Sequence, residues 1–221
     1  RHTGVGWREI LKNVLSLRLP VIGAANEYHA LVKLLQMGLS TAQIAAYADA
    51  GRNPGRRQSV IVTVELSGTV SLEDYCLDWS HAPPPFVTRM RIIRLLAGIA
   101  RSLHDAGVNY ADFDLCHFHI EREGLTSLEP RCYLIDVHRA QMHKRLPQRW
   151  REKDLAGLYF SSMDCGLSKR DLLRFMRHYE TGGLRQAMGK SSARWRRVTN
   201  KACKMYRRDR GVAAPIQELL Q

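Results

Sequence analysis

The spacing of apolar residues along the chain predicts a mixture of helices and short strands. The most regular stripe runs from Ile92 through Ile99 to Leu103, and its three- and four-residue spacing predicts a helix that ends at Gly107. Similar patterns predict helices over 7–19, 24–37, 154–162 and 172–179. Helix propensity predicts one over 192–210, and a capping-box-like start at 71–74 predicts a shorter one that ends before the prolines at 83–85. Short β-leaning runs at 44–47, 60–64, 118–120 and 133–135 predict strands. The predicted fold class is therefore α+β.

A change in composition divides the chain into two regions. The basic, turn-rich segment DAGRNPGRR at 49–57 separates the first two strand runs, and it is typical of a hairpin-like connection. After about residue 67 the pattern becomes mostly helical. We therefore expect a small α+β region over 1–67 and a larger, mainly helical region over 68–221.

The charge balance indicates an anionic partner or substrate. The chain has 34 Lys and Arg against 21 Asp and Glu, a net charge of +13 over 221 residues. Charge alone leaves open a nucleic acid, an anionic membrane surface, a phosphorylated substrate and an acidic protein. The densest basic segment, 192–210, also contains Trp195 and Tyr206, so it fits a solvated helix face, a phospholipid-binding face or a nucleic-acid patch.

Two further patterns narrow the class of protein. No apolar run approaches the roughly 18 residues that cross a bilayer, and the N-terminal residues show no signal-peptide pattern. The five cysteines are scattered without a CxxC pair, which argues against a disulfide framework and a structural zinc site. We expect a reducing, cytoplasmic setting in which the cysteines are small buried apolar residues.

The segments VNYADFDLCHFHI and YLIDVHRAQ contain the candidate chemistry. Asp112 lies in a loop after the most regular helix, and Asp136 closes an apolar strand after a short return. Protein kinases use this order: a catalytic-loop Asp accepts the proton of the acceptor hydroxyl, and an Asp after the next hairpin holds magnesium. His117 stands at the position of the kinase Asn that binds the second metal ion.

Several longer motifs resemble one bacterial enzyme family. These are LPVIGAANEY at 19–28, SLEDYCLDW at 71–79, CHF at 116–118, IDVHRAQ at 135–141 and RWREKDLAGLYFSSMDCGLSKRD at 149–171, together with GVGW at 4–7 and LRFMRHY at 173–179. Together they are similar to the Kdo/WaaP-type lipopolysaccharide core heptose kinases, which are protein-kinase-like. The resemblance covers nearly the whole chain.

The resemblance implies a bilobal protein-kinase-like fold, with an N-lobe remnant over 1–67 and a C-lobe over 68–221. It implies ATP and Mg²⁺ as cofactors, Asp112 as the catalytic base, and Asp136 with His117 as the metal-binding residues. It also implies nucleotide contacts from Glu27, Glu65, Leu66 and His117, with 64–66 as the hinge that receives adenine. In this family the Lys that pairs with Glu27, and the Gly-rich loop, would lie before Arg1.

The sequence departs from the family pattern at the catalytic loop. Tyr110-Ala111-Asp112 replaces the usual His-Arg-Asp, so the Arg of that motif is absent, and Asp114 replaces a Tyr. Because magnesium prefers oxygen ligands, His117 could bind phosphate instead, and Asp114 could enter the metal shell. His138 and Arg139 could fix their loop by hydrogen bonds, and Asp154 is expected to support the catalytic loop from below.

The resemblance also implies partners and a location. The acceptor would be a heptose hydroxyl of the anionic lipopolysaccharide core, reached at the cytoplasmic face of the bacterial inner membrane. An anionic membrane surface and an acidic protein are the expected further partners, and nucleic acid is not expected. The alternatives are a catalytically inactive kinase-like scaffold and a basic nucleic-acid-binding protein.

Overall fold

The computed structural model describes residues 2–3, 23–51, 53, 58–122 and 130–215. The helix predicted over 7–19 and the family motif at 4–7 lie outside the described residues. The described α-helices are α1 (Ala25–Gln36), α2 (Leu72–Cys76), α3 (Phe86–Asp105), α4 (Gln148–Ser162), α5 (Lys169–Tyr179), α6 (Gly183–Met188) and α7 (Ser192–Arg210). The described strands are β1 (His2–Thr3), β2 (Ser40–Thr41), β3 (Ile44–Ala50), β4 (Gln58–Thr63), β5 (Thr69–Ser71), β6 (Val108–Asn109), β7 (Phe118–Glu121), β8 (Cys132–Leu134) and β9 (Gln141–Met142).

The first sheet confirms the predicted hairpin. Strands β3 and β4 pair antiparallel, with Tyr47 opposite Ile61, and β1 lies on the other side of β4. Helix α1 packs on this sheet through Tyr28, whose ring stacks on Tyr47 at 4.3 Å between centroids. The N-terminal region is therefore α+β, as its sequence pattern predicted.

A second sheet connects the N-terminal region to the segments that contain the candidate chemistry. Its strand order is β2-β8-β7-β5, with β2 parallel to β8 and the other pairs antiparallel. In the β7–β8 hairpin Phe118 lies opposite Leu134, and both are fully buried. The hairpin therefore holds the segment before β7 close to the segment after β8, which are the segments of Asp112 and Asp136.

The rest of the chain forms a helical core. Helix α3 packs against α5, and α4 packs against α7. Each apolar stripe faces inward, as at Ile92, Ala100 and Leu103 in α3. The predicted helix starts are also present: the Ser71 hydroxyl accepts the amide of Asp74, and Ser168 with Asp171 forms a full capping box.

The structure corrects one interpretation of the basic C-terminal helix. In α7 the side chains of Trp195 and Tyr206 are only 5% and 8% exposed, because they face the helical core. Trp195 donates a hydrogen bond to Glu180, and Tyr206 donates one to Asp164. The exposed face of α7 is therefore basic but does not present these two aromatic residues, so they cannot anchor it to lipid.

Two other expectations concern membrane-spanning helices and the burial of the cysteines. Of the described helices, none has both the length and the apolar character that crossing a bilayer requires. All five cysteines are free; Cys76, Cys132 and Cys165 are buried, and Cys116 and Cys203 are half-buried. The prediction of buried cysteines is therefore confirmed for three of the five.

Candidate active site

The loop that carries Asp112 begins directly after β6. Ala111 has φ of 77°, a left-handed conformation that a residue with a side chain rarely adopts. Asp136, after β8, also has a positive φ, of 56°. Such conformations persist only where the surroundings impose them, and they concentrate at functional sites. Of the described non-glycine residues, only Ala111, next to the proposed base Asp112, and Asp136 itself have positive φ.

Asp154 supports the catalytic loop from behind, as predicted. Its carboxylate accepts hydrogen bonds from the Asn109 side chain at 2.7 Å, the Tyr110 amide at 2.7 Å and the Ala111 amide at 3.2 Å. Asp154 is only 1% exposed. On the same helix the Lys153 ammonium donates to the Ala111 carbonyl at 2.8 Å. Contacts from α4 therefore hold the strained turn before Asp112.

His104 completes this support. The Arg151 guanidinium donates to the Tyr179 oxygen, which leaves the Tyr179 hydroxyl proton for Nδ1 of His104, 2.8 Å away. The other ring nitrogen, Nε2, lies 3.5 Å from Asp154. Burial lowers the pKa of His104, and the contact with Asp154 opposes that shift. His104 is therefore a structural residue.

His117 links the Asp112 backbone to the Asp136 carboxylate. Its Nδ1 lies 2.7 Å from the backbone carbonyl of Asp112, and its Nε2 lies 3.5 Å from a carboxylate oxygen of Asp136. Because a carbonyl only accepts, Nδ1 must carry a proton. His138 forms a hydrogen bond to the other oxygen of Asp136. The structure therefore brings Asp112, His117 and Asp136 into one cluster.

Arg139 makes a contact that the sequence did not predict. One guanidinium nitrogen, Nη1, donates to both carboxylate oxygens of Asp112, at 2.8 and 2.9 Å. From the sequence, Arg139 is expected only to fix its own loop by hydrogen bonds. The local sequence carries no signal for this pair, since the two residues are 27 positions apart.

The start of α1 contacts the loop after β8. The Asn26 amide donates to the carbonyls of His138 at 2.6 Å and Ala140 at 2.9 Å. Glu27 is the next residue and lies half-buried in the first turn of α1, close in sequence to this contact. Its predicted role in binding nucleotide is not tested by these contacts.

The predicted hinge residues lie between β4 and β5. Glu65 is exposed and Leu66 is half-buried, and the Leu66 carbonyl accepts a hydrogen bond from Thr69. Within the described ranges, no hydrogen bond or ion pair joins Glu65 or Leu66 to the Asp112–Asp136 cluster. Their assignment as adenine contacts therefore remains a prediction.

The donor set near Asp136 fits magnesium only in part. No group of three or more His, Cys, Asp or Glu side chains in the described part of the chain could hold a metal ion. Magnesium in nucleotide sites is commonly bound by one or two carboxylates, with phosphate oxygens and water completing the shell. Asp136, which is half-exposed, fits that role. The imidazole of His117 does not offer the oxygen that magnesium prefers.

Asp114 lies two residues after Asp112, and its side chain packs against α4. Its Oδ1 packs so close to α4 that a Cβ added at Gly157 would lie 3.1 Å from it. Oδ1 is buried without a hydrogen-bond partner. Burial raises the pKa of this carboxyl group. The metal-shell alternative for Asp114 remains a prediction.

Comparisons with known proteins agree with the motifs. The profile of the lipopolysaccharide kinase (Kdo/WaaP) family matches residues 1–179. The chain is 42% identical, over 209 residues, to the lipopolysaccharide core heptose(I) kinase WaaP of Escherichia coli, covering 94% of this chain and 78% of the relative. It is 41% identical, over 208 residues, to the enzyme of that name from Pseudomonas aeruginosa, again covering 94% and 78%.

A solved structure shares the fold. It is described as WaaP in complex with acyl carrier protein, is 38% identical to this chain and superposes with a TM-score of 0.77. The match covers 83% of this chain and 76% of the solved one. With the family profile covering most of the sequence and relatives above 40% identity, this chain belongs to the lipopolysaccharide kinase (Kdo/WaaP) family.

Proposed function

We propose that this chain is a kinase that transfers a phosphoryl group from ATP to a heptose hydroxyl of the lipopolysaccharide core. The observation that carries the proposal is the cluster of Asp112, His117 and Asp136 beside the strained backbone of Ala111 and Asp136, in a chain more than 40% identical to heptose(I) kinases. The two-lobed organisation, with lobes over 1–67 and 68–221, is part of the same proposal.

In this mechanism Asp112 orients the acceptor hydroxyl and takes its proton as the bond to phosphorus forms. Asp154 and Lys153 hold the loop backbone, so the Asp112 carboxylate is positioned before substrate arrives. Asp136 is the residue that would hold magnesium. When bound, that ion would neutralise negative charge on the phosphates.

The nucleotide would lie between the two regions of the chain. Glu27 would act through the α1 contact that Asn26 makes with the loop after Asp136, while Glu65 and Leu66 would present backbone groups to adenine. His117 is better suited to a phosphate oxygen than to the metal, because magnesium prefers oxygen ligands.

The test is phosphoryl transfer to heptose-bearing lipopolysaccharide by the complete protein. We expect Asp112→Asn to lower kcat by about 10²–10⁴-fold, the usual contribution of a general base. Asp209→Asn, a matched change on the exposed end of α7, should leave kcat unchanged. Full activity in a folded Asp112→Asn protein would refute the assignment of the base, and a wild-type protein that binds no nucleotide would instead indicate an inactive scaffold.

We further propose an acidic carrier protein as a partner, since the solved relative is in complex with acyl carrier protein. A groove beside the start of α5 suits such a protein. It is lined by the basic residues Lys169, Arg170 and Arg174 and by Phe86, which is 61% exposed. Charge reversal at Arg170 should weaken binding of acyl carrier protein in a pull-down or titration, whereas reversal at Arg207 on α7 should not; equal loss in both would refute this site.

The same proposal places the protein at the cytoplasmic face of the inner membrane, where the glycolipid acceptor would be reached. The exposed basic residues of α7, which include Arg196, Arg207 and Arg208, would favour an anionic surface. Sedimentation with vesicles that contain anionic lipid, compared with neutral vesicles, measures this association.

A further inference from the structure

The contact between Arg139 and Asp112 occupies the proposed base. Nη1 of Arg139 donates to both carboxylate oxygens of Asp112. A carboxylate that is to accept the proton of a sugar hydroxyl needs one oxygen directed at that hydroxyl. The contact with Arg139 therefore competes with the hydroxyl for the Asp112 oxygens.

The position of Arg139 is set by the fold. Its neighbours Val137 and Ala140 are buried, and a hydrogen bond from the Ala140 amide to the Val137 carbonyl closes the turn. Asn26 of α1 binds the carbonyls on both sides of Arg139. The backbone is thus fixed from two directions, while the guanidinium side chain remains 49% exposed. A fixed backbone with an exposed charged end suits a residue whose contact partner can change.

The energetics permit this exchange. Both partners are accessible to solvent, with 49% exposure for the Arg139 side chain and 25% for the Asp112 side chain. Exposed ion pairs of this kind contribute little to stability, so little is lost when the contact changes. Arg139 uses only Nη1 here, and Nη2 and Nε make no hydrogen bond or ion pair with the described residues. A guanidinium has five N–H donors in a planar arrangement that matches phosphate.

The charge of the site also favours a phosphate role. Asp112 and Asp136 are both acidic, and an incoming triphosphate adds more negative charge. The catalytic motif itself has Ala111 where the family pattern has Arg. Of the described Lys and Arg side chains, Arg139 is the one that forms an ion pair with Asp112. It is therefore the guanidinium best placed to meet a phosphoryl group held between the two carboxylates.

We propose that Arg139 is a phosphate-binding catalytic residue that exchanges partners. In this structure it holds both oxygens of Asp112; when nucleotide is bound, its guanidinium binds the terminal phosphoryl group of ATP and frees one Asp112 oxygen for the acceptor hydroxyl. The inference rests on the proposed kinase function and names the residue that recognises the transferred group.

The test compares a triphosphate with a diphosphate. Titration calorimetry on the complete protein with magnesium measures the affinity for ADP and for a non-hydrolysable β,γ-imido analogue of ATP. In Arg139→Ala we expect the preference for the triphosphate to fall by about tenfold or more, because a charge-assisted contact to the terminal phosphate is lost. The affinity for ADP should be unchanged, which also shows that the variant is folded. We expect kcat to fall by about 10²–10³-fold, as for removal of one preorganised donor.

Two further variants separate the possible roles. Arg139→Lys keeps the charge without the planar donors, so part of the triphosphate preference should return. Arg94→Ala removes the same charge from an exposed position on α3 and should leave both affinities and kcat unchanged.

The outcomes are distinguishable. If Arg139→Ala loses activity but keeps the full triphosphate preference, Arg139 acts only on Asp112 and the exchange is refuted. A variant with wild-type kcat refutes it as well. A wild-type protein that binds neither nucleotide overturns the proposed function, and this inference with it.

Discussion

Asp112 belongs to the loop that Asp154 supports, and the surroundings of these two carboxylates differ. Asp154 is 1% exposed, and its donors are two backbone amides and the Asn109 side chain, none of which has another partner to take. The Asp112 side chain is 25% exposed, and its partner is one half-exposed guanidinium. The same chemical group is therefore structural in one place and exchangeable in the other.

This difference follows from the cost of leaving partners unsatisfied. A buried donor that loses its acceptor keeps its full desolvation penalty, whereas an exposed group is hydrated when its partner leaves. Loss of the buried contacts between Asp154 and the loop therefore costs much stability, whereas loss of the exposed contact between Asp112 and Arg139 costs little. A kinase needs both, because the base must be held in place and must also release its partner when substrate binds.

The largest effect on stability is expected at Asp154, which supports the loop. Asp154→Ala leaves three donors unsatisfied, and we expect a loss of about 3–5 kcal/mol in the free energy of unfolding, together with loss of activity. Asp154→Asn, which keeps one acceptor oxygen, should lose less. Urea unfolding measures both. An Asp154→Ala protein with wild-type stability would show that the two carboxylates do not differ in this way.

A smaller loss is expected at the glycine that leads into β6. Gly107 has φ of +80°, and a Cβ there would lie 2.0 Å from the His143 carbonyl oxygen. We therefore expect Gly107→Ala to cost about 2–4 kcal/mol, from the left-handed conformation and the displaced backbone. Gly98→Ala within α3 is the matched control, since its Cβ meets nothing within 4 Å and the change should stabilise the helix by about 0.5–1 kcal/mol. Equal unfolding midpoints for the two variants would contradict this explanation.

The smallest effect on stability is expected at Asp112. Asp112→Asn should change the free energy of unfolding by no more than about 1 kcal/mol, because only an exposed ion pair is weakened. Thermal unfolding beside the kinetic assay makes the comparison direct: activity is lost while stability is kept. A loss as large as that of Asp154→Ala would mean that Asp112 is also a structural residue.

Most of the fold could be predicted from the sequence, and the exceptions are short elements. The apolar stripes of α1 and α3 and the helix propensity of α7 predicted those helices, and the capping residues Ser71 and Ser168 predicted the starts of α2 and α5. The short strands β1, β2, β5, β6 and β9 were not predicted, and neither was α6, because elements of two to six residues carry too little periodicity. The sequence also left open that Trp195 and Tyr206 share the basic, lipid-binding face of α7, whereas the structure buries both in the core.

The sequence by itself determined which residues carry the candidate chemistry and their order along the chain. These are Asp112, His117 and Asp136, within motifs typical of one kinase family. It also predicted the support from Asp154. Only the tertiary structure decided that Arg139 contacts Asp112 and that Asn26 clamps the turn that carries it. Those contacts join positions 27 to 114 residues apart, and side-chain periodicity reports only neighbours within a few residues. The left-handed backbone at Ala111 and Asp136 has the same origin, because packing around each residue, and not its own preference, imposes it.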